Sequence, residues 1–184
     1  MVNISEYLEN LRHEIKALLF DWGNTVMKVF PDQTGPMALW PKVVAVEGIQ
    51  EILPLVKERF KIVLISNAQH SDRDLIYQAL ERVSLSQYFH EIFTPHELNE
   101  RKPAPQFYLN ILNQIEIEPE NGIMIGDDYE NDIIAAKQVG LWTIWYNEDN
   151  KQHLDTNFPY HDAEINKIEE LASLIHKEMS FKLN

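Results

Sequence analysis

Short apolar runs alternate along the chain with longer stretches whose apolar residues recur at helical spacing. The runs are Ala17–Phe20, Ile62–Ile65, Gly122–Ile125 and Leu141–Tyr146. Each is apolar on both faces, the pattern of a strand covered on both sides in a parallel sheet. Trp142 and Trp145, within the last run, are expected in the core. Between them Glu47–Arg59, Ser71–Arg82, Pro105–Gln114 and Asn131–Val139 read as helices, with Ile133, Ala136 and Val139 on one stripe of the last. Strands alternating with helices predict an α/β fold around a doubly wound parallel sheet. At the ends the pattern predicts a lead-in helix over Ile4–His13 and a closing helix over Ala163–Lys177, carrying Ile165, Ile168, Leu171, Leu174 and Ile175. Asn147–Tyr160 reads as a polar surface loop. A flap is expected over residues 26–41, irregular through Phe30–Pro41 because Pro31, Gly35, Pro36 and Pro41 interrupt it. The 184 residues suit one domain with a core of useful size.

Charge and composition narrow the partners. The net charge is −13, so an anionic membrane surface and nucleic acid are both disfavoured, and a small anion needs local donors or a cation to bind. With no cysteine, disulfides, thiolate catalysis and cysteine metal sites are excluded. No run is apolar for the roughly 20 residues a membrane span needs, and the polar start lacks a signal-peptide pattern, so a cytoplasmic location is expected.

In a doubly wound sheet, ligands bind beyond the carboxyl ends of the strands. The residues to weigh are therefore Asp21 after the first run, Ser66 and Asn67 after the second, and Gly126-Asp127-Asp128 through Asp132 after the third, with Lys102 fixed between Arg101 and two prolines. Singly, each has an ordinary reading: a turn aspartate, capping residues, a solvated lysine, an acidic helix start. As an ordered set they offer a carboxylate nucleophile, a phosphate clamp, a positive charge and a hard-oxygen cation site.

The set resembles the haloacid dehalogenase (HAD) superfamily. Phe20-Asp21-Trp22-Gly23-Asn24-Thr25 is similar to its first motif, Ile65-Ser66-Asn67 to its second, Lys102-Pro103-Ala104-Pro105 to its third, and Gly126-Asp127-Asp128 through Asp132 with Ala135-Ala136-Lys137 to its fourth. The resemblance, which runs from about Lys16 to Tyr146, implies a Rossmann-like core and an aspartyl-phosphate intermediate. On it, Asp21 is the nucleophile and Lys102 the second catalytic residue. Ser66, Asn67 and Lys102 bind phosphate. Asp21, Asp127 and the Gly23 carbonyl hold Mg²⁺, and Asp128, Asp132 and Asn24 support them.

Two departures stand out. Most phosphatases of that superfamily carry a second aspartate two residues after the nucleophile, where this chain has Gly23. A missing general acid costs typically about 10²–10⁴ in rate, so leaving groups that need no proton are expected to suffer least. Too little chain separates Asp21 from Ser66 for a helical cap, which predicts an open site for a small phosphorylated substrate, or one closed by a second subunit in a homodimer. Trp22, Phe30 and Trp40 could wall its entrance, although core positions are the commoner fate of such aromatics. Two other functions stay open: a metal-independent carbon–halogen hydrolase, and a weakly active or non-catalytic phosphate binder.

Overall fold

The computed structural model describes residues 15–151 and 160–179. Its sheet is built from β1 (Ala17–Asp21), β2 (Lys61–Ile65), β3 (Glu91–Phe93), β4 (Gly122–Gly126), β5 (Trp142–Tyr146) and β6 (Ala163–Ile165), all parallel, in the order β3-β2-β1-β4-β5-β6. The connections carry helices α1 (Ile49–Lys57), α2 (Arg73–Glu81), α3 (Pro95–Leu98), α4 (Pro105–Gln114), α5 (Ala135–Gln138) and, after β6, α6 (Glu170–Met179).

The two-sided pattern read from the runs has its cause in the pleat. Successive residues of a strand point to opposite faces. Leu18 and Phe20 of β1 join Ile62 and Leu64 of β2 under α1, α2 and α6, while Leu19, Val63, Ile65 and Met124 face α4 and α5. Both faces are covered, so the central strands hold almost no exposed position and must be apolar throughout. The strand order reverses direction beside β1, which leaves a crevice between the carboxyl ends of β1 and β4.

Three sequence expectations need correction. Ala163–Ile165 is a sixth strand, not the start of the closing helix. Ala163 and Ile165 are buried with Glu164 exposed between them, and the three residues pair with Ile144, Trp145 and Tyr146. The helix begins only at Glu170, whose carboxylate accepts from Asn166 and Lys167 N–H. The predicted Asn131 helix start is instead a π-turn, Tyr129–Ile134, running into α5. Trp142, expected in the core with Trp145, is only half-buried; its indole N–H reaches the Glu120 carbonyl at 2.9 Å and its ring carries the Lys137 ammonium 4.9 Å above it. The lead-in helix Ile4–His13 and most of the Asn147–Tyr160 loop lie outside the described residues.

Between β1 and α1 there is no helical cap, only a single 3₁₀ turn at Met37–Leu39. The chain leaves β1, turns at Trp22–Met27 and pairs Met27 with Ala45 before α1 begins. No described helix is long and apolar enough to cross a membrane.

Candidate active site

At the crevice, four separate segments converge. Asp21 is the last residue of β1. Its Oδ1 lies 2.5 Å from the Lys102 Nζ, and the same ammonium reaches Asp132 Oδ1 at 2.6 Å. Lys102 is 4% exposed and Asp132 fully buried, so this is an ion triad inside the protein. Asp21, Asp127 and Asp132 each offer an oxygen within 4.8 Å of the others.

Local structure explains how each group arrives. Asn67, directly after β2, uses both ends of its amide on the backbone of Lys102: its Oδ1 accepts from the Lys102 N–H and its Nδ2 donates to the Lys102 carbonyl, each at 2.9 Å. Asn67 was expected among the phosphate ligands. It lines the cavity, and its amide also fixes the backbone of Lys102. Ser66 is buried, with its hydroxyl accepting from Ala68 N–H. Neither residue caps a helix, because α2 starts later and is capped by Asp72, which accepts from Leu75 N–H at 3.0 Å.

Asp132 comes from the π-turn. Its Oδ2 accepts from Asp128 N–H at 3.1 Å, and Asp128 in turn accepts from the N–H groups of Glu130 and Asn131. Gly126 makes the close approach feasible: a Cβ there would sit 2.2 Å from Asp132 Oδ2. A π-turn frees backbone groups from the helical ladder, and Tyr108 of α4 donates its hydroxyl to the Asn131 carbonyl at 2.6 Å. Burial holds the Tyr108 phenol well above its ordinary pKa, so it remains a donor.

Asp127 stands half-buried beside Asp21. Thr25, fully buried, donates to its Oδ1 at 3.2 Å, and Trp145 donates its indole N–H to its carbonyl at 3.1 Å. Burial and the neighbouring Asp21 carboxylate push the Asp127 carboxyl up to about 6. Burial also raises Asp132, with Lys102 pulling the other way. At Lys102 burial opposes the charge, yet Asp132 and Asp21 more than offset it, and the ammonium is held charged. Three carboxylates facing one ammonium leave the site short of positive charge, and their oxygens are the hard donors a divalent cation takes. Of the remaining expected residues, Gly23, Asn24 and Asp128 line the cavity; Gly23 is bridged to Met27, and Asn24 accepts from Val29 N–H with its side chain.

Sequence reasoning did not single out Thr25, Tyr108 or Trp145 as site residues. Thr25 sits within the first motif-like run, and a polar hydroxyl in an otherwise apolar helix stripe was the available signal for Tyr108.

A doubly wound sheet with a buried carboxylate–ammonium triad and a further carboxylate at its switch point places hard oxygen donors where α/β sheets of this kind take their ligands. A family model described as haloacid dehalogenase-like hydrolase matches residues 3–146, and the chain belongs to that family. It is 26% identical over 128 residues to the glyceraldehyde 3-phosphate phosphatase of Pyrococcus furiosus, covering 69% of this chain and 52% of that protein. Over 134 residues it is 25% identical to the mouse N-acylneuraminate-9-phosphatase, covering 72% and 52%. The match thus spans about half the length of these relatives. Among solved structures, an uncharacterized protein from Listeria monocytogenes serotype 4b superposes with a TM-score of 0.76 at 24% identity, covering 89% of this chain and 99% of that one. A HAD-hydrolase from Bacillus subtilis bound to magnesium gives 0.72 at 17%, covering 88% and 99%. At these identities the two structures speak for the fold.

Proposed function

We propose that the protein is a Mg²⁺-dependent phosphohydrolase that works through an aspartyl-phosphate on Asp21. The observation carrying this reading is the meeting of Asp21, Lys102, Asp127 and Asp132 at one strand-end crevice. Phosphatase relatives support the reaction class.

On this reading Asp21 and Asp127, with the Gly23 carbonyl, hold the cation, which would neutralise charge on the phosphoryl oxygens. Lys102, locked by Asn67 and Asp132, balances the negative charge beside the nucleophile, and the Ser66 hydroxyl faces the phosphate. An Asp21 oxygen bonds to phosphorus as the bond to the leaving oxygen breaks, that oxygen keeping the electron pair. Water then attacks phosphorus, returning the Asp21 carboxylate and releasing phosphate. Gly23 supplies no proton to the departing oxygen, so phenolate-like, acyl or phosphate leaving groups should be favoured over alkoxides.

The test is hydrolysis of acetyl phosphate and phenyl phosphate with Mg²⁺ and with chelator. Turnover should require the metal; phosphate release that survives chelation would overturn the metal-dependent reading, and halide release from a 2-haloacid in chelator, with neither phosphate hydrolysed, would point to carbon–halogen hydrolysis.

Two predictions follow from the site. Gly23→Asp should raise kcat/KM on an alkyl ester such as a sugar phosphate by about 10²-fold while changing phenyl phosphate far less. The added Cβ would meet Val29 Cγ2 at 3.0 Å, and Val29 is 43% exposed and able to yield. No gain on the alkyl ester would show that the missing acid is not what limits it. The second concerns pH. Asp127 must be ionised to bind a cation, and its carboxyl stands at about 6 in the metal-free protein. Protons therefore compete below that pH, and the apparent Mg²⁺ affinity should fall by about tenfold per unit there. Calorimetric titrations at pH 7 and pH 5 check it; equal affinities would remove Asp127 from the ligand set.

A further inference from the structure

The cavity over Asp21, about 360 Å³, has two unlike walls. One is polar and carries Asp21, Ser66, Lys102 and Asp127. The other comes from the segment after β1 and is apolar at Trp22, Val29, Met37 and Trp40, with Asn24 among them, its side-chain oxygen accepting from Val29 N–H. Among the described residues Lys102 is the one cation lining the cavity, and its ammonium is engaged by Asp21 and Asp132.

The apolar wall is held in place although its segment has little secondary structure. Trp40 donates its indole N–H to the Thr34 and Gly35 carbonyls at 3.0 and 3.2 Å. Arg82, at the end of α2, donates to the carbonyls of Ala38, Trp40 and Pro41 at 2.9, 2.6 and 3.2 Å. One guanidinium thus fixes three carbonyls of the flap, which a lysine's compact ammonium does not match. Phe30 packs against the Trp40 ring, centroids 6.3 Å apart.

Such a wall discriminates by chemistry. A sugar pressed against Met37 and Val29 would lose water from the hydroxyls on that side, and those two side chains offer no hydrogen bond in return. A leaving group with a carboxylate or second phosphate would find no cationic side chain on that wall to meet it, and Asp128 lines the same cavity. A flat, neutral, apolar ring would bury its surface at no such cost. We infer that this wall is a leaving-group subsite for an uncharged aromatic ring, which makes neutral aryl phosphomonoesters the substrate class. The inference rests on the phosphohydrolase reading for the chemistry but not for the binding preference. In the reaction, the Asp21 oxygen bonds to phosphorus, the phosphorus–aryl oxygen bond breaks, and the phenolate leaves with the electron pair to be protonated by solvent. Water then cleaves the acyl phosphate to carboxylate and inorganic phosphate.

The test pairs binding with turnover. Phenylphosphonate, 4-carboxyphenylphosphonate and methylphosphonate are titrated calorimetrically into the full chain with Mg²⁺, for wild type and Val29→Lys, alongside hydrolysis of acetyl and phenyl phosphate. Phenylphosphonate should bind wild type about tenfold or more tighter than either of the others. Val29→Lys, an exposed rim position, should shrink the penalty on the carboxylated ring by about tenfold by supplying the missing countercharge. Equal affinity for phenyl- and methylphosphonate, or for the neutral and carboxylated rings, overturns the subsite, as does a Val29→Lys protein that keeps the wild-type ratio. If the preference holds but neither phosphate is hydrolysed, the phosphohydrolase reading fails and the ring subsite stands.

Discussion

Replacing Asp21 by asparagine is expected to lower kcat on phenyl phosphate by about 10⁴-fold or more, leaving only background hydrolysis. The amide is isosteric with the carboxylate but is neither an anionic nucleophile nor a good cation ligand. Its effect on folding should be small by comparison. The fully buried Asp132 remains 2.6 Å from Lys102, so the ammonium keeps a charged partner. Asp127 loses the neighbouring charge that helps hold its carboxyl up, and its pKa should move down toward the ordinary carboxylate value. A variant that folds like wild type, with a matching urea midpoint, and yet has no turnover would separate chemistry from structure. Residual activity within about tenfold of wild type would mean that another group attacks phosphorus, and the proposed mechanism would be abandoned.

What was legible in the sequence divides along physical lines. The central strands were readable because burial on both faces demands an unbroken apolar run, and β1, β2, β4 and β5 sit within a residue of the runs that predicted them. The two edge strands were not. Glu91–Phe93 and Ala163–Ile165 are three residues long, too short for a period to be told from a helix fragment or a loop. The segments that feed the site were legible for the same reason as the strands: a polar residue ending a buried run has few ordinary uses, and Asp21, Ser66 and Asp127 all stand at such ends. Their geometry was not. That Lys102 lies between Asp21 and Asp132 depends on Asn67 gripping a backbone 35 residues away and on a π-turn that no spacing announces. Asn67 illustrates the gap: its place in a motif-like run suggested a ligand for phosphate, and nothing in that run announced that its amide also spans the N–H and carbonyl of Lys102. The flap's lack of regular structure was readable from its prolines and glycine. Its clamp was not, since Arg82 lies over forty residues on, at the end of a helix with no local sign of its target.

Lys102→Met should be the most destabilising single change at the site, costing about 3–5 kcal/mol when measured by urea unfolding in chelator. The side chains are similar in length and the methionine fills the space, so the loss is electrostatic rather than a cavity. Asp21 and Asp132 would be left as buried carboxylates with no countercharge, beside a third in Asp127. Two dependences distinguish this cause from poor packing. First, pH: burial already raises Asp132, and removing Lys102 takes away the attraction that opposes the rise, so its folded pKa climbs further. A carboxyl whose folded pKa exceeds its unfolded value destabilises the protein above that folded pKa, and the penalty disappears as pH falls through it. The stability gap between variant and wild type should therefore narrow toward acid pH. Second, cation: a divalent ion held by the same carboxylates supplies the missing charge, so saturating Mg²⁺ should return part of the loss to the variant. A gap that is flat in both pH and Mg²⁺ would mean that Lys102 serves the fold by packing alone, and that the three carboxylates neither share a cation nor depend on the ammonium between them.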